Sequence, residues 1–265
     1  MQQARWIGYP RAKEVLEKLE GLLNHPHKAR MPNMLLVGET NNGKTVIVNR
    51  FLEGHPPDDN PSGEAIHVPV LSIEAPPTPD EARFYDEILY KLNIPFRKSD
   101  RVSNKALQVE KVFRYVGLRM LIVDEIHNLL AGHEKRQRQF LNALKWLTNT
   151  LQIPIVGVGT PEATAALRVD PQVRNRFTPM ELPKWENDKA FRRLLASFER
   201  TLPLKWPSNL HERELARRLH ALSEGTIGEL ADLLGMAAIE AIRGGEECIN
   251  SQLVGALGWT PPSKR

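Results

Sequence analysis

The stretch Gly38-Glu-Thr-Asn-Asn-Gly43-Lys44-Thr45 sets two glycines, a lysine and a threonine at the spacing G-x-x-x-x-G-K-T. Each position has a use toward a polyphosphate. Gly38 and Gly43 admit backbone angles and close approaches that a Cβ would block, and Asn41 and Asn42 tolerate left-handed turns. The N–H groups running through Glu39, Thr40, Asn41 and Asn42, with the positive end of a helix that opens at Lys44, Thr45 and Val46, then surround anionic oxygens. Lys44 supplies a point charge to the outer phosphates and Thr45 a hydroxyl ligand for Mg²⁺. A second constellation, Met120-Leu-Ile-Val-Asp124-Glu125, ends an apolar run in two carboxylates. Asp124 suits the Mg²⁺ shell. Glu125 is placed to align an attacking water or accept its proton.

Two further features leave alternatives open. Thr160 follows Ile155-Val-Gly-Val-Gly and ends an apolar run with a hydroxyl. It would hold the water or the γ-phosphate, or cap a helix beginning at Pro161. Arg174 and Arg176 precede Phe177; one of them acts in trans on developing charge, or both are solvated basic side chains. His127 and His133 have no metal-ligand spacing with other residues and read as surface or capping positions.

These residues need elements to position them. Met34 to Val37 is a buried strand, and Val46, Ile47, Val48, Phe51 and Leu52 follow at helical spacing. Further strands are expected at Ile66–Ile73, Met120–Glu125, Ile153–Thr160 and Phe177–Leu182, with Pro69 marking the first of these as an edge. Helices are expected at Arg11–Leu23, through Leu92, Ala106–Val116, around Phe140–Leu147 and at Pro161–Leu167. The segment between Pro95 and Lys105 reads as a basic connector carrying Arg97, Lys98, Arg101 and Lys105. Strands alternating with helices imply an α/β fold, a parallel sheet covered on both faces. Past Trp185 only helical patterns occur, so the expected division is 1–185 as an αβα domain and 186–265 as a small helical domain.

Composition narrows the classes. A net charge of +4 and a pI near 9.2 permit a nucleic-acid partner without demanding one. No stretch resembles a membrane span or a signal peptide, and the one cysteine, Cys248, suits a reducing cytoplasm.

Taken together, Gly38–Thr45, Leu121-Ile-Val-Asp-Glu-Ile-His-Asn-Leu129, Ile153–Ala163, Asp170–Phe177 and Leu182-Pro-Lys-Trp185 resemble the TniB group of transposition ATPases, TnsC-like members of the AAA+ superfamily. The resemblance implies a P-loop AAA+ αβα sandwich with a five-stranded parallel sheet and a helical lid. It implies ATP with Mg²⁺ as cofactor and hydrolysis at subunit interfaces of a ring or helical filament. It also implies assembly on double-stranded DNA without sequence specificity, recruitment of a DDE transposase, a TniQ-type targeting protein as further partner, and a bacterial cytoplasmic, DNA-associated location. Under it Thr160 takes the sensor position, Arg176 the arginine finger with Arg174 in reserve, and Ile7, Ile227 and Gly228 bracket the adenine. Arg97, Lys98, Arg101 and Lys105 fall where related proteins line a DNA channel. One departure stands out: Ser223-Glu-Gly-Thr-Ile-Gly-Glu-Leu-Ala-Asp lacks the arginine that many such lids carry. The rival reading is a DNA-independent ATPase switch that gates a protein partner.

Overall fold

In the computed structural model, residues 6–61, 63, 65–130, 134–167 and 176–265 are described. The chain divides into two compact units, one of residues 14–38 and 44–181, the other of residues 1–13, 39–43 and 182–265. The division thus falls at Leu182 instead of Trp185, and the helical unit takes in the first residues and the tip of the phosphate loop.

The first unit is built on a five-stranded sheet in the order β2-β3-β4-β1-β5. Its elements are α1 (Pro10–Leu23), β1 (Asn33–Gly38), α2 (Lys44–Glu53), β2 (Val70–Glu74), α3 (Glu81–Lys91), α4 (Val102–Tyr115), β3 (Met120–Asp124), α5 (His127–Leu130), α6 (Glu134–Leu151), β4 (Ile155–Gly159), α7 (Glu162–Leu167) and β5 (Phe177–Leu182). Registered pairs are parallel: Leu35 faces Gly157, Leu121 faces Ile155, and Glu74 faces Asp124. The three inner strands are apolar almost throughout, as burial on both faces requires. Leu35, Val37, Ile73, Val123, Phe84, Ile88, Phe113, Phe140 and Leu144 belong to one buried cluster.

Two boundaries differ from the sequence reading. β2 starts only after Pro69, which has no N–H to donate; the Pro69 carbonyl instead accepts from Arg119 and Met120. β2 is nevertheless the edge strand that Pro69 suggested. α4 starts at Val102 rather than Ala106, so part of the expected connector is helix.

The second unit holds α8 (Lys189–Glu199), α9 (Arg213–Ser223), α10 (Ile227–Arg243), α11 (Ser251–Ala256) and a 3₁₀ turn at Pro262–Lys264. Asp188 and Asn250 cap α8 and α11 through the N–H groups of Phe191 and Leu253. Leu194, Leu195, Leu219, Leu230, Leu233 and Leu234 are buried in this unit. Among the described residues no helix is long and apolar enough to cross a membrane.

Candidate nucleotide site

The loop leaves β1 at Gly38 and enters α2 at Lys44. Asn41 and Gly43 take positive φ, 58° and 82°, so the two left-handed turns fall on residue types that bear them at low cost. Asn42 closes the loop with an N–H bond to the Glu39 carbonyl at 3.2 Å. Lys44 is buried and donates from Nζ to the Gly38 carbonyl at 2.7 Å. Its charge is thus held across the base of the loop. Thr45, the second residue of α2, donates from Oγ1 to Asp124 Oδ2 at 3.0 Å. A hydroxyl and a carboxylate side by side are hard oxygen donors, the set that Mg²⁺ takes when it keeps most of its waters. The residues present therefore fit a magnesium polyphosphate.

Asp124 and Glu125 share a tight turn at the end of β3. The other oxygen of Asp124 accepts the Glu125 N–H at 2.8 Å, and the Glu125 carbonyl accepts from Asn128 at 2.9 Å. Glu125 sits at φ 53°, a left-handed conformation that costs a non-glycine residue about 1–2 kcal/mol. The next residue is locked into the sheet: Ile126 N–H reaches the Val158 carbonyl at 2.9 Å. A cavity of about 720 Å³ runs from Thr45, Asp124 and Glu125 along α2 and the edge strand, lined by Val48, Leu52 and Ile73.

Beside it stand Thr160 and His127. The Thr160 hydroxyl donates to Glu162 and holds that carboxyl below its ordinary value, aided by the Glu162 backbone N–H. The Thr160 carbonyl accepts from Ala163 at 3.0 Å. Of the two uses left open for Thr160, the structure displays the helix cap. His127 Nδ1 lies 3.2 Å from Glu125 Oε2, within ion-pair distance but out of line for a hydrogen bond. Sequence reading placed His127 on the surface, and no spacing rule could have paired it with Glu125. The signal available was the pair Gly157 and Gly159: a Cβ on either would press on Ile126 or His127, at 2.7 and 3.3 Å for the nearest Ile126 carbons.

In the helical unit the loop tip meets the start of α10. Gly228 N–H donates to the Asn41 carbonyl at 2.9 Å, and Ile227 Cγ2 stands 3.0 Å from where a Cβ on Gly43 would be. Asn42 donates to the Leu182 and Pro183 carbonyls at 2.8 and 3.1 Å. Ile227 and Gly228 therefore face the phosphate loop itself. Ile7 is half-buried in the same unit, and burial pushes the neighbouring Tyr9 hydroxyl up to about 12.

Residues 1–187 match the family of bacterial TniB proteins. The chain belongs to the TniB family. No curated protein matches it. Among solved structures this TniB-family chain is similar to the ORC2 protein of Aeropyrum pernix in its ADPNP-ADP complexes, with 15% identity over 96% of this chain and 70% of that one and a TM-score of 0.64. It is similar also to Cdc6p from Pyrobaculum aerophilum, with 18% identity over 93% of this chain and 66% of that one and a TM-score of 0.66. A third is the ORC1 protein of Aeropyrum pernix in complex with DNA, with 19% identity, coverage of 93% and 63%, and a TM-score of 0.64. The chain spans 63 to 70% of the length of these three. At such identity the likeness speaks to the fold, which is the AAA+ P-loop αβα architecture.

The remaining expected residues are scattered. Arg176 donates to Asn149 Oδ1 at 2.9 Å and more weakly to Thr148 Oγ1 at 3.4 Å, at the carboxyl end of α6. Arg174, His133 and the segment Asp170 to Asn175 lie outside the described residues. The connector needs a correction. Arg97, Lys98 and Arg101 are exposed, but Lys105 is only 1% exposed. Its ammonium lies 2.7 Å from Asp86 Oδ1, donates to Asp86 Oδ2 and to the Lys98 carbonyl, and stands over the Phe96 ring. Lys105 cannot touch DNA in this conformation, because it fastens the connector from beneath.

Proposed function

We propose that this chain is an ATP-hydrolysing regulator of DNA transposition. It would assemble head to tail on double-stranded DNA, as a ring or an open helix, and recruit a DDE transposase to a target. The observation that carries the chemistry is the contact between Thr45 and Asp124 next to the left-handed Glu125. Lys44 and Thr45 would hold the phosphates and Mg²⁺, and Asp124 would orient the metal's shell. Magnesium, when bound, supplies charge neutralisation at the outer phosphates. Glu125 would align the attacking water and take its proton on a carboxylate oxygen. Arg176 would serve a neighbouring subunit, which requires it to leave Asn149 and Thr148. Membership of the TniB family supports transposition, and the exposed Arg97, Lys98 and Arg101 support contact with phosphates. A TniQ-type protein would be a further partner.

The deciding experiment is ATP turnover with and without duplex DNA, with electron microscopy of the protein, DNA and a non-hydrolysable analogue. DNA-stimulated turnover and an ordered assembly are expected. Turnover indifferent to DNA, with no assembly on it, would instead favour a switch that gates a protein partner.

A further inference from the structure

Glu229 is the third residue of α10 and only 8% exposed. A carboxylate in the first turn of a helix is favoured by the free N–H groups there, yet this one is also held from two sides. Asn41 Nδ2 donates to Glu229 Oε1 at 3.1 Å. Arg265 grips both oxygens, Nη2 to Oε2 at 2.7 Å and Nη1 to Oε1 at 3.3 Å. The arginine is itself set in place. Its Nε donates to the Thr260 carbonyl at 3.1 Å and its guanidinium lies 5.0 Å over the Trp259 ring. Trp259 Nε1 donates to the Leu222 carbonyl at 3.0 Å, and Ser263 bonds the Glu224 carboxylate through both its N–H and its hydroxyl. The segment 259–265 thus grips the turn between α9 and α10 at three points. That turn in turn holds Asn41, by the Gly228 N–H at its carbonyl and by Glu229 at its side chain. A side chain at 228 would collide with Asn41, so the approach is close.

We infer that Arg265 and Glu229 are positioning residues of the phosphate loop: the guanidinium neutralises Glu229, and Glu229 fixes Asn41 in its left-handed turn, so that the pair sets nucleotide affinity. The proposal rests on the nucleotide-binding reading above. Glu229 is the nearest acidic group to Asn41 in these hydrogen bonds. Left unpaired it would set a buried negative charge against a loop that takes polyphosphate, and would lose the orientation that lets it accept from Asn41. Charge-assisted, bidentate pairs are the strong ones, so removing the cation is felt. The lid turn itself carries no arginine; the cation arrives from 36 residues further along the chain.

The test uses the full chain with Arg265→Ala, Arg265→Lys and the double variant Arg265→Ala/Glu229→Gln. The first readout is hydrogen exchange of the Asn42 and Gly228 amides without nucleotide; the second is the Kd for a fluorescent ATP analogue. Arg265→Ala should speed exchange at both amides and weaken binding, each by about tenfold. Arg265→Lys should restore part of both, since a point charge replaces the fork. The double variant should bind more tightly than Arg265→Ala, because the unpaired charge is gone. Unchanged exchange at Asn42 and Gly228 in Arg265→Ala overturns the proposal, as does a double variant no tighter than the single one. Should Arg265→Ala misfold, Arg265→Lys carries the same comparison with smaller shifts, and wild-type exchange there overturns the proposal. A wild-type protein that binds no analogue refutes the nucleotide reading instead, while the exchange comparison still reports on the contact.

Discussion

Glu125 combines a role with a cost. Its backbone stands at φ 53° between an Asp124 carboxylate that accepts its N–H and an Ile126 bonded to β4, so the side chain leaves the sheet at a fixed angle. Strain held by such a frame is what a group aimed at a reacting water needs. Gln has the same backbone restriction as Glu, so Glu125→Gln isolates the carboxylate. That variant should bind ATP normally and lose turnover by about 10²–10⁴-fold, the span of general-base catalysis. Single-turnover hydrolysis beside an equilibrium titration reads both. Turnover within a few-fold of wild type would remove Glu125 from the role. Lys44→Ala should fail earlier, at the titration, because its ammonium belongs to the binding step. The loop was legible because its chemistry is local: spacing, glycines and asparagines within eight consecutive residues specify it. His127, Glu229 and Arg265 were not, since each acquires its partner only through folding.

At the scale of elements, α3 and α4 show where reading the chain failed. Apolar periodicity is clear only from Ala106, and the preceding Ser-Asp-Arg-Val-Ser-Asn is polar and cap-like, so the stretch read as a loop. The helix in fact begins at Val102 with no side-chain cap at Arg101, and that first turn carries Lys105 inward. Its partner Asp86 is 19 residues away, beyond any spacing rule. Charge alone therefore grouped four cations of which three are exposed. Strands were easier, because apolar runs closed by Asp124 or Thr160 leave few alternatives, and Pro69 both marked the edge and shortened it. The buried pair gives a prediction of its own. Lys105→Met leaves Asp86 without its cation and should cost about 3 kcal/mol of stability, as breaking one side of a buried ion pair does. Lys105→Met/Asp86→Leu should regain most of that loss. Denaturant unfolding measures both, and a single variant as stable as wild type would show that the pair is dispensable.

At the scale of the whole molecule the proposed activity belongs to an assembly, and two mixtures of subunits and DNA probe it. If Arg176 acts on a neighbour, Arg176→Ala should be inactive alone and recover partial turnover when mixed with Glu125→Gln, since some interfaces then join an intact arginine to an intact glutamate. A mixture no more active than the average of its parts would leave Arg176 as a support for α6 through Asn149. The last prediction concerns DNA. Arg97, Lys98 and Arg101 are exposed on a connector that Lys105 holds by the Lys98 carbonyl, so three cations are presented from a fastened backbone. Repeated along an assembly, contacts of this kind are weak singly and strong when summed, and they follow phosphates without reading bases. Replacing all three by Gln, with Lys105 kept, should leave ATP binding intact and abolish ATP-dependent DNA binding at physiological salt. At low salt, where residual binding is measurable, the slope of log K against log salt should shrink by about 3 per bound subunit, one for each phosphate released. Keeping Lys105 matters, because its loss would free the connector and lower affinity without having touched DNA. An unchanged slope in the triple variant would shift the surface to the arginines of the helical unit, Arg192 and Arg193 on α8 or Arg217 and Arg218 on α9, and the same salt series on those pairs would then locate it.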